Sequence, residues 1–254
     1  MLRRNRAIPC LLLRNKGLVK TIKFKDPKYL GDPINVVRIF NDKEVDELII
    51  LDILATLENR RPRLGYIADI ASECFMPLCY GGGIRTLDGV KEMINVGVEK
   101  ISINSYAVEN PSFVAAAAEL VGSQSIIVSV DVKKNWRGKY EVFTHRAQKA
   151  TGLDPIAFIV RMAQLGAGEI LLNSIDLDGT MNGYDLELIR RATAAVDIPV
   201  IACGGAGSIK DLGRAVKEGG ASAVAAGSIF VFQGPLRGVL ISFPSPQELE
   251  GSLS

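Results

Sequence analysis

With 254 residues, 48% of them apolar and 23% charged, the chain has the composition of a folded protein with a sizeable core, not of a disordered polymer. Thirty basic against 28 acidic residues leave a net charge of +2, which supports neither a nucleic-acid footprint nor attraction to an anionic membrane. Cys10, Cys74, Cys79 and Cys203 have the spacing of neither a zinc module nor a small disulfide scaffold, and no run approaches the roughly 18 apolar residues that cross a bilayer.

The basic start MLRRNR opens onto an apolar run at 8–13 that is too short for a signal peptide. A soluble, cytoplasmic protein is therefore expected, with no metal site and no cofactor. Strand-length apolar runs recur at 7–13, 47–51, 76–80, 100–103, 125–132, 169–173, 200–202 and 223–226. Most are apolar at consecutive positions, as in strands covered on both faces. Stretches with helical spacing separate them at 33–43, 64–74, 87–96, 111–121, 155–165, 185–195 and 209–218. Thr86, Asn110, Asp154 and Ser208 stand where N-caps belong, and Pro111 and Pro155 at first helical positions. The last segment, GPLRGVLISFPSPQELEGSLS, is broken by prolines and predicts no convincing helix.

Eight such units predict an α/β fold, a single (βα)8 barrel, and an internal repeat strengthens that choice. PLCYGGGIRTLDGVKEMINVGVEKISINS from Pro77 aligns with PVIACGGAGSIKDLGRAVKEGGASAVAAGS from Pro199 at an offset of 122 residues that becomes 123 at the glycines, and DELIILDI from Asp46 with GEILLNSI from Gly168 at an offset of 122. One barrel spanning 1–254, made of half-barrels of about 1–122 and 123–254, accounts for the chain.

Glycine loops follow strands 3 and 7, at 81–84 and 204–208, and each opens a helix. Backbone amides there attract anions, and glycine lets a ligand approach them. Asn104 with Ser105, and Gly227 with Ser228, follow strands 4 and 8 at equivalent repeat positions, so two phosphate sites are expected. Asp52, Asp131, Asp176 and Asp178 lie at or beyond strand ends and should face the mouth of the barrel. Asp131, inside the apolar run SIIVSVDV, is the best candidate for proton transfer; a structural pairing with Lys20 or Lys133 is the bland alternative. At the opposite end Arg6, Glu47, Lys100 and Glu169 begin strands 1, 2, 4 and 6, placing two cations and two anions together as a ring that either plugs or gates the barrel. His145, the one histidine, reads as a solvent-facing residue of a hairpin after strand 5.

The segments IPCL, GDP, DELIILDI, GGGIR, KISINSYAVENP, GAGEILLNSIDLDGTMNGYD and IACGGAG resemble, in order from about residue 2 to 232, the cyclase-subunit family of imidazole glycerol phosphate synthase, HisF. The resemblance implies a substrate with two phosphates and ammonia supplied by a HisH-type glutaminase docked at the charged ring, which favours gate over plug. It places one phosphate on Gly83, Asn104 and Ser105, and the other on Asp178, Gly179, Gly205, Gly227 and Ser228, with Lys20 as the first-loop lysine and Asp52 in the same substrate site. Asp131 matches one of two catalytic aspartates; the other position holds Leu12, the repeat counterpart of Asp131. Leucine transfers no proton, so ordinary cyclase activity should be severely weakened.

That departure, together with GLVKTIKFKDPKYLGDPINVVRIFN and GVLISFP, resembles a branch of the family associated with surface-polysaccharide genes. The branch implies onward passage of ammonia to a sugar amidotransferase, for amidination of a lipopolysaccharide or O-antigen sugar. The alternatives are the histidine-pathway cyclase, which makes imidazole glycerol phosphate and an aminoimidazole ribotide, and a non-catalytic scaffold that activates the glutaminase.

Overall fold

A computed structural model describes residues 5–253. Among them, eight parallel strands close on themselves: β1 (Arg6–Arg14), β2 (Leu48–Asp52), β3 (Leu78–Gly81), β4 (Lys100–Ile103), β5 (Ile126–Lys134), β6 (Glu169–Ser174), β7 (Val200–Cys203) and β8 (Ala223–Ala226). Each pairs with the next, and β8 returns to β1 through the register Arg6↔Ala223 to Pro9↔Ala226, completing the expected (βα)8 barrel. Every expected strand is present, with ends shifted by at most two residues. Glu47 falls just before β2, and 123–125 form a 3-10 turn that delivers the chain into β5.

Helices α1 (Pro33–Asp42), α2 (Leu64–Ser72), α3 (Leu87–Asn95), α4 (Ser112–Val121), α5 (Pro155–Gln164), α6 (Leu186–Thr193) and α7 (Ile209–Lys217) pack around the barrel. Thr86 caps α3 through the Gly89 amide, Asp154 caps α5, and Ser208 forms a reciprocal capping box with Asp211. Asn110 does not cap α4 with its side chain, contrary to expectation. Its backbone carbonyl accepts from the Phe113 amide while its amide oxygen accepts the Ser112 hydroxyl, because α4 starts one residue later.

The C-terminal segment is also corrected: Pro246–Leu253 forms a further helix, α8. Pro246 stands at its first position, where the ring's fixed φ favours a helix start, and Ser245 and Glu248 bond reciprocally across that start. Leu249 and Leu253 are buried, and the Ser252 hydroxyl donates to the Ile209 carbonyl of α7.

The core has two layers. Between strands and helices lies the main apolar shell, while a separate cluster that includes Ile8, Ile49, Cys79, Ile127, Leu171 and Ile201 fills the barrel itself. Cys10, Cys79 and Cys203 are free and buried there. Among the described residues, extra strands leave the barrel at its C-terminal end: a hairpin after β1 (Gly17–Ile22 with Lys25–Gly31), one after β5 (Tyr140–Thr144 with Lys149–Ala150) and one after β8 (Phe232–Gln233 with Gly238–Val239). They rise around the mouth.

Candidate active site

At the N-terminal end the four charges form a closed ring. Arg6 donates Nη1 to Glu47 and Nη2 to Glu169 at 3.0 Å, and Lys100 Nζ lies 2.8 Å from Glu47 and 3.0 Å from Glu169. Each sits at or just before the start of a strand, so the four side chains meet at that end of the barrel. Burial opposes the charge on Arg6, but the two glutamates more than offset it. Glu47 is 2% exposed and its second oxygen, Oε1, is buried without a partner. A buried acceptor left unbonded at a ring of charge is a place where an N–H donor would be held.

At the other end a cavity is lined by Lys20, Asp52, Gly83, Asn104, Ser105, Asp131, Asp178, Gly179, Gly205, Gly227 and Ser228, all expected there. Leu12 and Leu51 form part of its wall. Asp131 is partly open to the cavity, and accepts from Asn173 Nδ2 and Asn104 Nδ2, each at 3.2 Å. Burial raises its carboxyl to about 7; the Asn173 bond opposes the rise, the Asp178 charge adds to it, and Asn104 opposes it. A group that titrates near neutrality in a cavity suits proton transfer. Neither structural pairing envisaged for Asp131 forms: Lys20 donates to Asp178 at 2.8 Å, and Lys133 lies over the Phe143 ring.

Leu12 sits on β1, directly across the barrel from β5 and Asp131. It is half-buried, in register with Leu51 of β2 and Val19 of the first hairpin. Of the three carboxylates that line the mouth, Asp131 therefore faces an apolar wall, while Asp178 and Asp52 are ion-paired with Lys20 and Arg60. Asp52 is turned away from reaction chemistry: it accepts from the Leu54 and Ala55 amides and pairs with Arg60 at 2.8 Å, bracing the loop after β2. Asp176 does not line the cavity, and instead accepts from the Lys134 amide. Lys20 is buried at 6% exposure, and its stem passes where a β-carbon on Gly227 would lie.

Two glycines show why the loops carry no side chain. Gly83, at φ +74°, would bring a β-carbon to 2.5 Å from the Arg60 carbonyl, and Gly205, at φ +120°, to 2.1 Å from that of Gly183. Turns of this kind present backbone amides that hold anions. The Ser228 hydroxyl, buried without a partner, faces the same need for a ligand or water. Ser105 Oγ, by contrast, is already engaged by Asn104 and by the His145 amide.

His145 is thus not the solvent-facing residue expected. Its ring is half-buried with Nδ1 at Thr144, and its backbone lies over the Ser105 loop. The neighbouring Arg146, which the sequence did not single out, lines the cavity and donates Nη2 to the Phe24 carbonyl of the first hairpin. Burial and the like charge of Arg14 pull its pKa down. No spacing marks Arg146, because its position depends on a hairpin folded back over the mouth.

Residues 6–236 match the family model of histidine biosynthesis proteins. The chain is 50% identical over 247 residues, 97% of its length and 98% of the relative's, to a Pseudomonas aeruginosa protein provisionally named imidazole glycerol phosphate synthase subunit hisF2. A Vibrio vulnificus protein with the corresponding provisional name hisF3 is 49% identical over 98% of this chain and 96% of its own. Imidazole glycerol phosphate synthase subunit HisF of Alkaliphilus metalliredigens is 47% identical over 89% of each chain.

Proposed function

The chain belongs to the histidine biosynthesis family as a HisF-type imidazole glycerol phosphate synthase subunit, and from that premise we propose that it relays ammonia from a HisH-type glutaminase to an amidotransferase acting on a surface sugar. The glutaminase docks at the ring of Arg6, Glu47, Lys100 and Glu169. Neutral ammonia passes the ring when Lys100 moves aside, and then crosses the apolar interior around Ile8, Ile49 and Ile127. It emerges at the mouth in the cytoplasm.

One observation carries this reading: the ring is complete while the mouth has Leu12 where a second carboxylate would face Asp131. A cyclase must both add nitrogen to its substrate and move protons in the ring closure. With Leu12 on one wall, a single acid–base group remains, and each such group typically contributes about 10²–10⁴-fold. The loops of Gly83, Asn104 and Ser105, and of Asp178, Gly179, Gly205, Gly227 and Ser228, still supply two phosphate cradles, with Lys20 closing the second.

The histidine-pathway cyclase is the second reading, and the poise of Asp131 near neutrality favours it. Ammonium salt and the phosphoribosyl-formimino-carboxamide ribotide, given to the purified protein, decide between the two. The relay reading expects no appreciable imidazole glycerol phosphate; robust turnover overturns it.

A further inference from the structure

The net charge of +2 conceals a strong polarity. The first hairpin region, 14–32, carries six basic residues against Asp26 and Asp32, five of them besides the buried Lys20 that pairs with Asp178, and the region from the end of β5, 133–154, carries six against Glu141 and Asp154. Asp32 and Asp154 are already committed to capping α1 and α5. Both regions stand at the mouth.

Exposed apolar side chains gather on these two hairpins and on the one after β8. Trp136 is 86% exposed and Leu236 93%, each at a hairpin turn, and Ile22, Tyr29, Val239 and Leu240 are also exposed there. The hairpins are tied together. Lys28 Nζ donates to the Arg237 carbonyl at 2.7 Å, the Arg237 guanidinium donates to the Gly179 and Thr180 carbonyls, and Arg146 holds the Phe24 carbonyl. A tied surface loses little freedom on binding.

We propose that the mouth face docks a second protein, acidic around an apolar centre: the enzyme that consumes the ammonia leaving the barrel. The proposal rests on the relay reading above. Charge complementarity selects the acidic partner, with basic residues from opposite sides of the mouth steering it, and Trp136, Tyr29 and Leu236 serve as anchors. A phosphate backbone would use the lysines but not the exposed Leu236, Val239 and Leu240, which favours protein over nucleic acid. Sealing the mouth also keeps ammonia from being lost to water.

The test places a photo-crosslinking phenylalanine derivative at Trp136 or at Leu236 of the full chain in its own cells, with Phe75, exposed near the opposite end before β3, as the comparison site. Both mouth positions should trap one protein that Phe75 does not trap. Purified, that protein should form its aminated product from glutamine only with this chain and the glutaminase present. Its binding should weaken with salt and fall at least tenfold in Lys25→Glu/Arg137→Glu, a variant whose thermal unfolding is unchanged. Trapping of the glutaminase, of nucleic acid or of nothing at the mouth overturns the proposal, as does trapping of the ammonia consumer at Phe75. That last result leaves the relay standing, whereas cyclisation of the ribotide by the chain overturns the relay itself.

Discussion

Replacing Lys100 by methionine keeps most of the side-chain volume and removes only the ammonium that joins Glu47 to Glu169. Those two side chains are 2% and 12% exposed, so the charges left behind have little water to fall back on. Breaking a buried ion pair from one side typically costs about 3–5 kcal/mol. Arg6 still touches both carboxylates, which returns part of that, so a loss of about 2–4 kcal/mol is expected. At roughly 2–4 °C per kcal/mol for a chain of this size, thermal unfolding followed by circular dichroism should drop by roughly 5–15 °C. The double variant Lys100→Met/Glu169→Gln leaves one anion facing one cation, and should recover most of the loss. A single variant within 1 kcal/mol of wild type, or a double variant as unstable as the sum of its parts, would show that the four charges do not act as one buried network.

Asp131 makes a pH-dependent prediction. Its carboxyl is raised from 3.8 to about 7, so the folded state holds its proton more tightly than the unfolded chain. Stability should therefore fall as pH rises from about 4 to 7 and level off above. Asp131→Asn escapes that loss and should be more stable at pH 8 by on the order of 1–3 kcal/mol, after allowance for water in the cavity. The gain should vanish near pH 4, and its absence at pH 8 would refute the burial argument. Leu12→Asp adds the missing carboxylate and should raise ribotide cyclisation by about 10²–10⁴-fold; no gain in a folded variant would mean that the rest of the mouth has also diverged. Gly205→Ala forces a β-carbon onto the Gly183 carbonyl. It should lower stability by about 1–3 kcal/mol, and where inorganic phosphate is expected to raise the parent's unfolding temperature, the variant should show no such rise.

The barrel was legible because its signals are local and repeated: eight apolar runs, helices with caps, and a half-length repeat. The charged ring was legible for the same reason, since Arg6, Glu47, Lys100 and Glu169 each mark a strand start and parallel strands bring starts together. What the sequence missed depends on chain reversals. Pro246 reads as a breaker until the turn of Ser245 makes it a first helical residue. Arg146 and the half-burial of His145 depend on a hairpin that bends back over the mouth. Asp52 and Asp176 look like Asp131 in sequence, but their carboxylates are taken up by Arg60 and by the Lys134 amide.

That hairpin bears on how the mouth moves. His145, Arg146 and Ala147 all have left-handed backbone, with φ of 53°, 56° and 61°, a conformation that costs a non-glycine residue on the order of 1–2 kcal/mol. Such a run persists only where neighbouring contacts hold it. Here the His145 amide bonds to Ser105 in the loop after β4, and Arg146 bonds to Phe24 of the first hairpin, whose Lys20 reaches Asp178 in the loop after β6. These two loops, though far apart in sequence, are thus linked through two hairpins. Opening the first hairpin would release Arg146 and Lys20 together, so the strained turn, the ion pair and access to the cavity should change as one event.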